Sequence, residues 1–314
     1  MHGNHPGLGG IALVFGGNVF GWTLDRDGSF AVLDAFFEAG GRMVDSADGY
    51  SAWVPGNKGG ESETLLGEWM ESRGVRSEMR IATKTGMGGT PGSLRPEAVE
   101  RAMAASLERL RTDYVDLYYA HRDDPETPLD EVVSVYDSLL KSGKARELGA
   151  SNHTTERLRE VFAVAERLGA SSYTVLQPKY NLVWRHEYEG ALQGLCLARG
   201  IAVLPYYGLA SGFLTGKFRK AEDWAGSSRA HALGEFAGAG GWAVLDVLDA
   251  VAGRLGATLA QVSLAWLAAQ PGIAAPIASA TSAVQVTELA AAASLRLSGE
   301  DLALLDRAMA ETAS

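Results

Sequence analysis

The chain has 314 residues, 46% of them hydrophobic and 21% charged, with a formal net charge of −10. That composition supports a large core and excludes global disorder, while the acidic balance argues against nucleic-acid or anionic-membrane partners. A single cysteine, Cys196, excludes an internal disulfide and a multi-cysteine metal site, and it fits a reducing, cytoplasmic location.

The opening stretch, Met1–Gly10, has no basic region followed by an apolar run, so no secretory signal is expected. Apolar runs that read as buried parallel strands then recur along the chain: Ile11–Phe15, Arg42–Asp45, Met79–Lys84, Tyr114–Ala120, Glu147–Ala150, Tyr173–Gln177, Ile201–Tyr206 and Ile273–Ile277. Helical periodicity fills the gaps. From Pro96 to Leu110, Val99, Met103, Leu107 and Leu110 share one face, and Pro96 sits where a first-turn proline is tolerated. From Leu129 to Ser142, Val132, Val135, Tyr136, Leu139 and Leu140 form the apolar stripe, and Gly143 ends it. Strands alternating with helices imply a parallel sheet, either doubly wound or closed. Eight units without a break favour one (β/α)8 TIM barrel spanning 1–314, a fold that typically needs about 250 residues. No stretch of about 18 apolar residues runs uninterrupted, so no membrane span is expected.

Two irregular stretches, Ser51–Gly60 and Phe218–Gly241, follow strands and read either as loops over the C-terminal mouth or as floppy insertions. An open-sheet dinucleotide fingerprint is missing. Gly238-Ala239-Gly240-Gly241-Trp242-Ala243 meets only a relaxed spacing and follows no predicted strand.

Chemistry gathers at three strand ends. Asp45 closes Arg42-Met43-Val44-Asp45, with Tyr50 in the loop beyond; Lys84 closes Ile81-Ala82-Thr83-Lys84; His121 closes Leu117-Tyr118-Tyr119-Ala120-His121. Singly, these residues read as a turn cap, a solvated tip and a rim histidine. In a parallel barrel they converge at one mouth. Carbonyl reduction needs a hydride donor and a proton for the developing alkoxide. A tyrosine can supply the proton, an adjacent ammonium lowers its pKa, a carboxylate fixes the ammonium, and a histidine can donate to the carbonyl oxygen.

Val44-Asp45-Ser46-Ala47-Asp48-Gly49-Tyr50, Ile81-Ala82-Thr83-Lys84-Thr85-Gly86 and Asp116-Leu117-Tyr118-Tyr119-Ala120-His121-Arg122 resemble, in order and spacing, the catalytic signatures of the aldo-keto reductases. The resemblance covers about Phe15 to Leu289 and implies a (β/α)8 barrel. It makes Tyr50 the general acid, with Asp45, Lys84 and His121 in support. Leu148-Gly149-Ala150-Ser151-Asn152 and Leu176-Gln177-Pro178 resemble segments whose Ser151, Asn152 and Gln177 would hold the nicotinamide carboxamide; locally, Ser151–Asn152 also reads as a helix N-cap. Asp45 would touch the cofactor as well. Pro205 to Lys217 is similar to the loop covering the cofactor: Tyr206 would stack on the nicotinamide, the small residues Ser211, Gly212 and Gly216 with Lys217 would lie along the pyrophosphate, and Leu209 and Leu214 would also contact the cofactor.

At the adenine end, Ser279, Thr281, Gln285 and Glu288 fall on the family pattern, but Thr281 stands where Arg is frequent and Leu289 where Asn is usual. The resemblance implies NADP, with NADPH favoured over NADH by a smaller margin than usual, because a 2′-phosphate is best gripped by Arg or Lys. The first strand departs too, reading Gly16-Gly17-Asn18-Val19-Phe20-Gly21-Trp22 where the family has Gly-Thr before an aromatic. Trp22, Trp53, Tyr119 and Arg122 are rim or pocket candidates for a small-molecule carbonyl substrate; for each tryptophan, packing is an equal reading. The implied function is an NAD(P)H-dependent carbonyl reductase, running in either direction. The alternative is a cofactor-binding regulatory subunit on the same barrel, of the kind represented by the potassium-channel β-subunits in that superfamily. The sequence leaves oligomeric state and the identity of the carbonyl open.

Overall fold

A computed structural model describes residues 8, 10–227, 229–238 and 240–310. Most of the Met1–Gly10 stretch read for a secretory signal therefore lies outside the described residues. Eight strands alternate with helices. The strands are β1 Val14–Gly16, β2 Met43–Asp45, β3 Arg80–Thr85, β4 Leu117–Ala120, β5 Leu148–Ser151, β6 Val175–Gln177, β7 Ala202–Val203 and β8 Ile277–Ala278. The helices are α1 Arg26–Glu38, α2 Glu61–Arg73, α3 Pro96–Leu110, α4 Leu129–Lys141, α5 Thr155–Leu168, α6 Ala191–Arg199, α7 Ala230–Ala237, α8 Gly241–Leu255, α9 Leu259–Ala269, α10 Ala283–Ala292 and α11 Gly299–Ala310.

All ladder pairings are parallel, in the order β7-β6-β5-β4-β3-β2-β1-β8. The two ends of that order meet. Val203 bridges Ile273, Ala274 N–H donates to the Val203 carbonyl at 2.9 Å, and Ile277 N–H donates to the Pro205 carbonyl at 3.0 Å. The sheet is thus closed, as the count of eight units predicts. These contacts also correct two strand bounds. Ile273 pairs through an isolated bridge and the regular ladder of β8 begins only at Ile277, while β7 keeps two ladder residues of the predicted Ile201–Tyr206 run.

Side chains alternate across each strand, so one set fills the barrel and the other meets the helices. The interior is plugged by Leu8, Val14, Met43, Ala82, Leu117, Tyr119, Val175, Ala202, Leu204, Ala275 and Ile277. Tyr119 is fully buried in that plug, which excludes the rim half of its rim-or-pocket reading. Its ring leaves no room beside β5: a Cβ on Gly149 would lie 2.4 Å from Tyr119 Cδ1.

The predicted α3 and α4 form with the expected ends. Arg111 caps α3 in a left-handed conformation, and Ser142 caps α4 ahead of Gly143 (φ +76°). The described residues of Phe218–Gly241 do not form a floppy insertion. A 3-10 turn at Ala221–Trp224 precedes α7, whose Leu233 and Phe236 are buried, and Trp224 stacks on Trp242 at 5.7 Å. α7 ends at Ala237, Gly240 caps α8 and Gly241 begins it, so the relaxed glycine motif follows a helix and not a strand. No helix among the described residues is long and apolar enough to cross a membrane.

Candidate active site

The inward rows of β2, β3 and β6 change from apolar to polar toward their C-terminal ends. Met43 is followed by Asp45, Ala82 by Lys84, and Val175 by Gln177, each two residues on and on the same face. Register aligns Asp45 with Ala82, Lys84 with Tyr119, and Ser151 with Gln177. The polar tier therefore sits directly above the plug.

Lys84 is fully buried. Its Nζ lies 2.6 Å from Asp45 Oδ2 and donates to the Ser46 carbonyl at 2.7 Å and the Tyr50 hydroxyl at 3.0 Å. The Tyr50 hydroxyl also lies 3.4 Å from Asp45 Oδ2, and Gln177 Nε2 donates to Asp45 Oδ1 at 2.8 Å. His121 stands edge-on to Tyr50 with ring centres 6.0 Å apart, and its Nδ1 is buried with no hydrogen-bond partner among the described residues. The four residues read from the strand ends are thus one cluster.

Burial lowers the Lys84 pKa, and the Asp45 carboxylate opposes that shift. Burial, then the Asp45 charge, pushes the Tyr50 phenol well above its ordinary value. This corrects the expectation that the ammonium would lower it: removing a phenolate from water beside a carboxylate outweighs the neighbouring cation. For His121, burial and then the Lys84 and Arg122 charges hold the pKa well below the ordinary value, leaving a neutral ring.

A second chain of hydrogen bonds runs along the mouth. Ser151 Oγ donates to the Gln177 carbonyl at 2.7 Å, Asn152 Nδ2 to the His121 carbonyl at 2.9 Å, and the Tyr206 hydroxyl to Asn152 Oδ1 at 2.7 Å. The cap of α5 is Thr154, whose side chain accepts from Arg157 N–H. Ser151 and Asn152 are accordingly not its N-cap. Beyond Leu209, a tight turn carries left-handed backbone at Ser211 (φ +57°), Gly212 (φ +91°) and Gly216 (φ +72°). Such turns expose successive N–H groups to an anion. A Cβ on Gly212 would sit 3.0 Å from Lys217 Nζ, so glycine leaves room for the ammonium. Leu214 is fully buried, so its side chain packs into the core.

At the far end, Ser279 Oγ lies 2.8 Å from the Gly16 carbonyl and 2.7 Å from Asn18 Oδ1. Gln285 Oε1 accepts from Thr281 N–H at 2.8 Å and Thr281 Oγ1 at 3.1 Å, and the half-buried Glu288 receives Gln261 Nε2 on its carbonyl at 3.1 Å. Among the substrate candidates, Trp22 packs edge-on to Trp53 at 5.5 Å, and Trp53, 46% exposed, packs against Tyr50 at 6.2 Å. Arg122 is exposed and donates to the Met87 carbonyl at 3.0 Å.

Sequence reasoning missed Arg229. Its guanidinium lies 5.4 Å from the centre of the Trp22 ring, and no carboxylate among the described residues pairs with it. The same holds for Lys217, whose pKa is lowered by burial and then by the Arg229 charge. Two neighbouring cations without a carboxylate partner among the described residues, the half-buried Arg229 and the exposed Lys217, suit an anion with more than one charge. The signal in the sequence was a basic residue inside an irregular stretch already placed over the mouth.

Comparison with known proteins gives a consistent picture. The Aldo/keto reductase family profile matches residues 12–310. The chain is 32% identical over 280 residues to a probable voltage-gated potassium channel subunit beta of Oryza sativa subsp. japonica, covering 86% of this chain and 83% of that protein. It is 32% identical over 309 residues to aldo-keto reductase str7 of Strobilurus tenacellus, covering 96% and 87%. To norsolorinic acid reductase B of Aspergillus parasiticus it is 30% identical over 318 residues, covering 95% and 79%.

Proposed function

The chain belongs to the aldo/keto reductase family, and from that premise we propose that it is an NADPH-dependent reductase of small-molecule carbonyls with Tyr50 as the proton donor. The observation that carries this reading is the phenol of Tyr50 held 3.0 Å from a buried lysine that is itself paired with Asp45. A structural salt bridge has no need of a phenol at that distance, open toward an aromatic-walled mouth.

A reduced nicotinamide, when bound, supplies the hydride. Tyr50 gives its proton to the carbonyl oxygen, and Lys84 donates to the oxygen left behind, limiting the charge that builds there. Asp45 holds the ammonium in place. Neutral His121 keeps a ring nitrogen available to orient the carbonyl. Ser151, Asn152 and Gln177 would hold the carboxamide, and Tyr206 offers a ring face to the nicotinamide, its hydroxyl already tied to Asn152. Lys217 and Arg229 would take the pyrophosphate with the backbone of 209–216. Ser279, Thr281, Gln285 and Glu288 would border the adenine end. Trp22 and Trp53 would wall the carbonyl substrate, with Arg122 at the rim. A cytoplasmic location belongs to the same reading.

The fit to NADPH is looser at the 2′-phosphate, because Thr281 stands where a cation would grip it and both Thr281 N–H and Oγ1 donate to Gln285 Oε1. Titrating both cofactors by fluorescence is expected to favour NADPH, but by less than ~100-fold, or about 2.7 kcal/mol. A larger preference would show that another basic group reads the phosphate.

The potassium channel relatives favour a second reading, a cofactor-binding subunit without turnover of its own. NADPH oxidation over a panel of aldehydes and ketones separates the two. Turnover is expected. Tight NADPH binding with no turnover on any carbonyl would favour the regulatory subunit instead.

A further inference from the structure

We propose that Asp48 is a positioning residue for the reaction, clamping the turn that carries Tyr50 onto the strand that carries Lys84. The inference rests on Tyr50 as proton donor and adds what sets its distance from the ammonium.

Tyr50 belongs to no regular element. It closes a turn in which Tyr50 N–H donates to the Ala47 carbonyl at 3.2 Å, with Asp48 and Gly49 at the centre. Asp48 grips β3 twice. Its backbone N–H donates to the Lys84 carbonyl at 3.0 Å, and its Oδ2 accepts from Thr85 Oγ1 at 2.7 Å. The two bonds straddle the Lys84–Thr85 peptide. Alternation explains how: Lys84 points into the barrel and Thr85 out of it, so the clamp acts from behind and touches no reacting atom. On the other side of the turn, a Cβ on Gly49 would lie 2.9 Å from Met87 Cε, so the turn is wedged between Thr85 and Met87. The Thr85 carbonyl also receives His121 N–H at 2.8 Å. One residue of β3 thus ties together the supports of Tyr50, Lys84 and His121.

The Asp48 carboxyl is pushed up to about 6, chiefly by burial; the hydrogen bond from Thr85 opposes the shift, Glu63 of α2 adds to it and Arg109 of α3 opposes it. Glu63 is itself occupied, accepting from Thr83 Oγ1 at 2.5 Å and from Arg109 at 2.7 Å. Asparagine keeps an acceptor for Thr85 Oγ1 in its amide oxygen, whereas alanine removes it.

The test compares Asp48→Ala, Asp48→Asn and Thr85→Val, which deletes the same bond from its other end. In D48A and T85V, kcat for NADPH-dependent carbonyl reduction is expected to fall about tenfold or more, as small misplacements of a reacting group do. KM and the NADPH Kd should stay near native. D48N should keep most of the activity, and the double variant D48A/T85V should be no worse than D48A alone. Native kcat in D48A, a D48N as impaired as D48A, or additive losses in the double variant would overturn the proposal. Hydrogen exchange of the amides in 47–50 provides a readout that needs no substrate. Faster exchange in D48A and T85V than in D48N supports the clamp even if no carbonyl is turned over, and equal exchange in all of them refutes it.

Discussion

Replacing Tyr50 with phenylalanine is expected to lower carbonyl reduction by about 10²-fold or more while leaving the NADPH Kd near native. The ring stays and only the proton donor goes, so the packing of Tyr50 on Trp53 and His121 is kept. Binding should not suffer, because Tyr50 is not among the cofactor candidates, which lie at the ends of β2, β5 and β6, in the loop after β7 and in the segment after β8. The raised phenol strengthens the prediction. Burial and the Asp45 charge keep Tyr50 protonated through neutral pH, so it enters the reaction as an acid. Its proton becomes available when negative charge develops on the substrate oxygen 
and Lys84 compensates the phenolate. Steady-state rates with one reactive aldehyde, alongside fluorescence titration of NADPH, check both halves. A phenylalanine variant with native kcat would remove Tyr50 from the mechanism; a lost Kd would make it a binding residue.

The four strand-end residues were legible because each sits at a point where an apolar run breaks into a polar side chain, and a parallel barrel puts all such breaks at one mouth. Helices α3 and α4 were legible for a different reason: a 3.6-residue apolar period bounded by Pro96 and Gly143. Strand bounds near the closure were not. In β7 and β8 only two residues each keep a regular ladder, and closure runs through single bonds at Val203, Ala274 and Ile277 that no apolar pattern marks. Tyr119 was misplaced because two adjacent tyrosines look alike in a buried strand. Parity would have separated them, since Tyr119 is two residues before His121 and in register with Lys84. The segment 218–241 escaped because its order comes from tertiary packing of Leu233, Phe236 and the Trp224–Trp242 stack, and propensity alone does not forecast that. Arg229 was lost with it. The direction of the Tyr50 shift was also out of reach, because it depends on burial that the sequence does not display.

Lys84→Met is expected to abolish most activity and to destabilise the fold by about 3–5 kcal/mol, the range seen when one partner of a buried ion pair is removed. Among the described residues, Lys84 is the only cation within bonding distance of the buried Asp45, whose other oxygen accepts from the neutral amide of Gln177. Methionine matches the lysine stem in volume, so little of the loss comes from packing. The cost lies in a carboxylate left in the barrel with no compensating charge. Two further acceptors, the Ser46 carbonyl and the Tyr50 hydroxyl, lose a donor at the same stroke. Adding Asp45→Asn removes the stranded charge, so the double variant should recover much of the stability. It should recover none of the activity, since the donor to the Tyr50 oxygen is still missing. Urea unfolding of the single and double variants, with NADPH turnover measured on each, separates the two roles of the pair. A Lys84→Met protein as stable as native would mean that water reaches Asp45. A double variant no more stable than the single one would place the loss in packing around the stem, because a charge effect between contacting residues must appear as non-additivity.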